Sequence, residues 1–187
     1  TVLILDYGSQ YTQLIARRVR ERHVYCEILP FDTPVSDIIE RNPSALILSG
    51  GPASVTQEDA PPLSAELLSL DIAILGISYG LQVLTRTMGG EVKPSTRREY
   101  GRAEIHPSNS ADMFSRVEGQ NLQVWMSHGD HVAKPAPGFD VVARTGDGVI
   151  AGVVHRERRI WGVQFHPEVV HTPQGANILA SFLHNLA

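Results

Sequence analysis

Apolar runs alternate with helical patterns through the first half of the chain. Val2 to Leu5 is a short continuous apolar run. Tyr11, Leu14, Ile15 and Val19 then recur at the spacing of an amphipathic helix, and Val24 to Leu29 is a second apolar run. The order reads as strand, helix, strand. It repeats with Ala45 to Leu48 as a strand, Leu63 to Leu70 as a helix and Ile72 to Ile77 as a further strand. Strands that are apolar at every position belong to a parallel sheet covered on both faces. Beyond Gly89 and Gly90 the candidate strands are shorter and more polar: Ala103 to His106, Leu122 to Met126, Asp140 to Ala143, Val149 to Val154 and Ile160 to Val163. These suggest antiparallel additions. Ile178, Leu179, Phe182, Leu183 and Leu186 place a closing helix over Gly175 to Leu186. The predicted class is therefore α/β: a mostly parallel open sheet with helices on both faces, plus antiparallel additions in the second half.

Composition narrows the partners. With 187 residues, 42% of them hydrophobic, the chain has enough material for one well-buried core, so 1–187 is read as a single domain. A net charge of -4 gives no electrostatic footprint for nucleic acid or an anionic membrane. The one cysteine, Cys26, excludes an intrachain disulfide framework, and its apolar strand makes it a buried small hydrophobe. No apolar run approaches the roughly 20 residues of a membrane helix. Thr1 leads directly into an apolar run without a basic region, so a signal peptide is not indicated and a cytoplasmic location is expected.

Ligands of open α/β sheets bind beyond the carboxyl ends of the strands. Three segments there stand out: Ser49 to Ser54 (SGGPAS), Gly76 to Gly80 (GISYG) and Gln164 to Glu168 (QFHPE). GISYG fits the G-x-S-x-G turn in which a sharp strand-to-helix reversal exposes one side chain, here Ser78, between small neighbours. A helix running on through Leu81, Leu84 and Met88 adds backbone N–H groups and a positive dipole end, which stabilise developing negative charge. A nucleophile needs a base and an orienting acid. In an extended segment residues two apart point the same way, so Glu168 can sit beside the His166 imidazole. Each segment also has a bland reading: a capped turn, a surface His and Glu, an ordinary glycine turn. Their joint occurrence at strand ends favours a site. The order nucleophile, histidine, acid argues against an α/β-hydrolase, which places its acid before its histidine.

That order, with an elbow of the form G-x-C-x-G and a late H-P-E, is the one found in class I glutamine amidotransferases, and the chain resembles that family over nearly its whole length. The resemblance is greatest to the GMP synthase branch. It is carried by LDYGSQYTQLIARRVRE (5–21), LILSGGPASV (46–55), GISYGLQ (76–82), VWMSHGD (124–130) and GVQFHPEVVHTPQG (162–175). It implies a flavodoxin-like fold and a triad at positions 78, 166 and 168. The family's oxyanion hole corresponds to the backbone at Gly51 and Tyr79. Gly50 suits close approach to a substrate, and Gln82, Ser127, His128, Gly129 and Asp130 fall in segments that grip the glutamine head group. The implied partner is an ATP-pyrophosphatase synthetase domain or subunit that aminates XMP to GMP, with ATP and magnesium expected only there. No cofactor is expected in this chain.

Ser78 departs from the family, whose nucleophile is cysteine. A thiol reaches its anion near neutral pH, because its pKa of about 8.5 is readily lowered by a neighbouring histidine and a helix terminus; a hydroxyl has no such accessible anion. The expectation is glutamine binding with very slow hydrolysis. An engineered Cys-to-Ser change is the simplest origin, and a naturally degenerate paralogue the alternative. Rival functions are a noncatalytic glutamine-binding regulatory module, a serine hydrolase, and an amidotransferase subunit of another pathway. SGGPAS is similar to the S-G-G-x-D-S loop of ATP pyrophosphatases, but Ala53 replaces its aspartate, so no ATP site is assigned. His128 and His131 are read as lying in a loop, without the cysteine pair or helical spacing of a metal site. Arg17, Arg18, Arg20 and Arg22 are read as a solvated face or partner contact of the first helix.

Overall fold

The computed structural model describes residues 1–108 and 112–187, without the side chains of residues 97–99. Strands β1 (Val2–Asp6), β2 (Cys26–Pro30), β3 (Ala45–Leu48) and β4 (Ala73–Ile77) alternate with helices α1 (Thr12–Glu21), α2 (Val35–Glu40) and α3 (Ala65–Leu68), and α4 (Tyr79–Thr87) follows β4 directly. The second half supplies β5 (Glu91–Pro107), β6 (Leu122–Lys134), β7 (Asp140–Thr145), β8 (Ile150–His155), β9 (Ile160–Val163) and α5 (Gly175–Ser181), whose last turn widens to π-helical geometry over Phe182–Leu186. The described strands form one nine-stranded sheet in the order β2-β1-β3-β4-β9-β8-β7-β5-β6.

Successive strand residues point to opposite faces, and both faces are covered. Val2, Ile4, Ala45, Ile47, Leu75 and Ile77 pack with Ile15, Val19, Ile178 and Phe182 of α1, α5 and its final turn. Leu3, Leu5, Leu46, Leu48 and Ile74 pack with Ile38, Leu67, Val83 and Leu84 of α2, α3 and α4. This is why these strands are apolar at every position rather than at alternate ones.

Several boundaries differ from the sequence expectation. Ile160–Val163 is not an antiparallel addition to one side. It pairs in parallel with β4, from Ile74↔Ile160 to Ile77↔Val163, and antiparallel only with β8. All four residues are buried, so β9 is the seam between the parallel and antiparallel halves. β5 and β6 are much longer than their apolar stretches, because an antiparallel ribbon satisfies its backbone through cross-strand bonds whatever its side chains. The ribbon therefore incorporates Ser127 to His131: Glu99 pairs with His128 and Lys93 with His131, so the two histidines lie in a strand rather than a loop. α3 is shorter than Leu63 to Leu70, starting at Ser64, whose hydroxyl accepts the Glu66 N–H. α2 has only six residues, too few for a periodic signal.

Two-faced burial generates a test. Ile47→Ala and Leu48→Ala, on opposite faces of β3, should each cost about 2–5 kcal/mol in urea unfolding, while Ile39→Ala, half exposed on α2, should change stability by about 0.5 kcal/mol or less.

Candidate active site

The loops after the parallel strands β1, β3, β4 and β9 leave the same, carboxyl end of the sheet. Ser49, fully buried after β3, joins two of them. Its N–H donates to Leu5 O (3.1 Å), its hydroxyl donates to Gly50 O (2.8 Å), and the Tyr7 N–H donates to its Oγ (2.8 Å). The backbone of Gly8 to Tyr11 and that of Gly50 and Gly51 are thereby set against each other.

Ser78 occupies the turn between β4 and α4 with φ +54° and ψ -108°, a conformation that side chains other than glycine rarely adopt. The neighbours of the turn hold it there. The Ser78 N–H donates to Val163 O of β9 (2.8 Å), and the Gln82 N–H to Ser78 O (3.2 Å). A side chain at Gly76 would run into Leu84 Cδ1 and the Gly80 carbonyl, and one at Gly80 into the Leu48 carbonyl. The small residues on either side of Ser78 are thus required by close packing of α4 onto β3 and β4.

His166 follows β9. Its N–H donates to Trp125 O (2.9 Å), and its carbonyl accepts from the Thr172 hydroxyl (2.7 Å), whose oxygen accepts the Trp125 N–H (2.9 Å). The edge of the Tyr11 ring stands against the imidazole, centroids 5.2 Å apart. Behind the ring, Glu168 is wholly buried, and its Oε1 lies 2.5 Å from His166 Nδ1. A carboxylate oxygen accepts, so the Nδ1–H donates, and in the neutral ring Nε2 is left as the unprotonated nitrogen. The other carboxylate oxygen of Glu168 is buried without a hydrogen-bond partner among the described residues. Arg18 Nε donates to the Glu168 carbonyl (3.0 Å), joining α1 to this loop. Gly50 lies between nucleophile position and base. A Cβ built on it would stand 3.0 Å from His166 Cε1 and 3.5 Å from Ser78 Cβ.

A cleft opens over these groups in two lobes that share Gly51, Pro52, Ser78 and Ser127. One, of about 250 Å³, adds Gly8 to Tyr11 and His166. The other, of about 290 Å³, adds Ala53, Tyr79, Gln82, Tyr100, His128, Gly129 and Asp130. The structure thus gathers Ser78, His166, Gly51, Tyr79, Gln82, Ser127, His128, Gly129 and Asp130 around one cleft, with Gly50 between Ser78 and His166 and Glu168 behind the imidazole. Asp130 is held from outside the cleft by the Ser54 hydroxyl (2.5 Å), and its carbonyl accepts from His128 Nδ1 (2.6 Å).

Sequence reading missed part of the lining. Gly8 to Tyr11 follow β1, so the strand-end rule could have pointed to them. Tyr100 arrives from the middle of β5 and carried no comparable signal. Arg17 and Arg20 of the basic cluster are exposed and Arg18 and Arg22 half-buried, and three of the four also donate to carbonyls: Arg18 to Glu168 O, Arg20 to Cys26 O (3.3 Å) and Arg22 to Ala176 O (3.4 Å). Cys26 is buried, its thiol facing Ala16 O at 3.6 Å. Among the described residues no three His, Cys, Asp or Glu side chains gather as around a metal ion, and no helix is long and apolar enough to cross a membrane.

The family described as glutamine amidotransferase class-I matches residues 3–186, and the chain belongs to that family. GMP synthase (glutamine-hydrolyzing) of Carboxydothermus hydrogenoformans is 48% identical over 185 residues, 99% of this chain and 36% of the relative. That of Thermobifida fusca is 48% identical over 187 residues, 100% of this chain and 35% of the relative. The chain spans about a third of the length of these relatives. A candidate GMP synthase subunit from Thermoplasma acidophilum matches with a TM-score of 0.85 and 27% identity, over 97% of this chain and 91% of that one. A glutamine amidotransferase from Thermotoga maritima shares the fold, with a TM-score of 0.74 at 19% identity over 98% and 96% of the two chains.

Two tests follow from the geometry. Ser78→Gly should stabilise the fold by about 1 kcal/mol in urea unfolding, because glycine adopts this backbone conformation without strain. The second concerns Tyr79, whose phenol donates to Pro61 O (2.6 Å) and whose pKa burial pushes up to about 12, against the lowering effect of the Arg86 charge. A folded pKa above the unfolded value of 10.0 means stability that is fully present below pH 10 and lost as pH rises towards 12. Tyr79→Phe should therefore flatten the fall of stability across that window, measured by urea unfolding at stepped pH.

Proposed function

We propose that this chain binds L-glutamine and is the glutamine-hydrolysing unit of a GMP synthase. It would pass ammonia to an ATP-pyrophosphatase synthetase domain or subunit that aminates XMP to GMP. ATP and magnesium would act at that synthetase, and this chain would hold neither. The observation that carries the reading is the His166–Glu168 pair, 2.5 Å apart and set beside Ser78 across Gly50. Membership of the amidotransferase family and the names of the relatives support the substrate and the branch.

In each half-reaction His166 acts first as base and then as acid. The residue at position 78 attacks the side-chain carboxamide carbon of glutamine as its proton passes to His166 Nε2. Glu168 stabilises the imidazolium without taking the proton. The carbonyl oxygen, now an anion, meets the amides of Gly51 and Tyr79. Tyr79 is the first residue of α4, so its N–H has no intrahelical partner to compete for it. Collapse breaks the C–N bond, the imidazolium proton goes to the departing nitrogen, and ammonia leaves. Water, deprotonated by the same imidazole, then cleaves the ester or thioester and releases glutamate.

With serine at position 78 the first step is the slow one. The hydroxyl must lose its proton during attack rather than before it, and its shorter reach misplaces the oxygen in a site proportioned for sulfur. Ser78→Cys should raise glutamine-dependent ammonia release by about a hundredfold or more. His166→Ala in that background should lower the rate about 10²–10⁴-fold. Equal rates with serine and cysteine would refute the role given to position 78. Adding the synthetase with XMP, ATP and magnesium tests the branch, since GMP should then form from glutamine.

A further inference from the structure

Gln164 is wholly buried at the end of β9 and lines neither lobe of the cleft, yet its carboxamide is spent in an unusual way. Its Oε1 accepts from Gln82 Nε2 (3.2 Å), while its own Nε2 is buried without a hydrogen-bond partner among the described residues. A buried amide nitrogen left unpaired costs a fold free energy, so stability alone gives little reason for an amide at this position. The arrangement makes sense through Gln82. The second proton of Gln82 Nε2 goes to the Asp130 carbonyl (3.3 Å), which can only accept. That carbonyl settles which end of the Gln82 amide is nitrogen, and the Gln164 atom facing the same nitrogen must then be oxygen. With both N–H groups committed, Oε1 is the polar atom that Gln82 has left for the cleft it lines.

We propose that Gln164 is a positioning residue that locks the Gln82 carboxamide with its oxygen towards the cleft, so that Gln82 presents an acceptor to an N–H group of the bound amino acid. The inference rests on the glutamine-binding reading above and adds a residue to it. It explains why a buried glutamine precedes the His-Pro-Glu segment. Gln164 reaches Gln82 of α4 and His166 stands beside Ser78 across Gly50, while Phe165 between them enters the core.

The test uses Gln164→Met in the chain as it stands, with serine at position 78. Calorimetric titration should show L-glutamine binding about three- to tenfold weaker, the worth of one oriented hydrogen bond. The urea midpoint should change little, since the loss of one unpaired buried amide offsets the Gln82 N–H left without its acceptor. A residue that merely fills the core would give the reverse, a lower midpoint with unchanged affinity, and that result overturns the proposal. Because Gln164 acts through Gln82, the Gln82→Met, Gln164→Met pair should bind no more weakly than Gln82→Met alone; additive losses overturn it as well. The nitrogen–proton NMR signals of the Gln82 side-chain amide supply a ligand-free readout. In Gln164→Met one of its two protons should exchange faster with solvent, and unchanged exchange refutes the lock. If the parent chain binds no L-glutamine, the functional reading falls, while this NMR measurement still decides the positioning role.

Discussion

The strained turn at Ser78 is the constraint on which the site depends. A residue at φ +54° returns to ordinary backbone geometry unless its surroundings forbid it. Here they do, through contacts from three strands: the Val163 carbonyl of β9 takes the Ser78 N–H, Gly80 lies against the Leu48 carbonyl of β3, and Gly76 of β4 leaves space for Leu84. The same contacts aim the side chain out over the carboxyl end of the sheet and start α4 beneath it. Backbone strain, helix placement and presentation of the reactive position are therefore one packing problem with one solution.

The histidine is fixed by a different means. No strain is involved. Backbone and hydroxyl hydrogen bonds run from His166 to Trp125 and Thr172, so the segment after β9 is fastened to β6. A wholly buried carboxylate then sets the tautomer. Arg18 holds the carbonyl of the same glutamate from α1, so the first helix, the seam strand and the edge ribbon all bear on the orientation of one imidazole ring.

Legibility in the sequence followed the source of each element's stability. β1, β3 and β4 were legible because burial on both faces makes every position apolar, and the glycine-bracketed turn and the His-Pro-Glu segment were legible because their chemistry is local in the chain. The full lengths of β5 and β6 were hidden, since a ribbon held by cross-strand bonds leaves polar residues free to occupy it. β9 was assigned wholly to the antiparallel half because strand direction within a sheet is set by the path of the chain, which no local pattern records. Tyr100 carried no local signal, and Ser54 and Gln164, although inside segments that stood out, showed their supporting roles only through contacts across 76 and 82 residues of sequence.

The β5–β6 ribbon forms the edge of the sheet and also one wall of the cleft. It joins the sheet through Ile105 to Pro107 against β7, is fastened at Trp125 to the segment after β9, packs Leu122, Val124, Met126 and Val132 into the core, and near Ser127 to Asp130 takes side-chain bonds from Ser54 and Gln82. Its ladder is interrupted between Pro94 and Glu99, opposite His128 to Asp130, and a wall broken there opens locally at less cost than the parallel core it adjoins. Exchange of small molecules at the cleft can thus proceed by local breathing, on a timescale of its own, while the strands that carry the reactive groups stay folded.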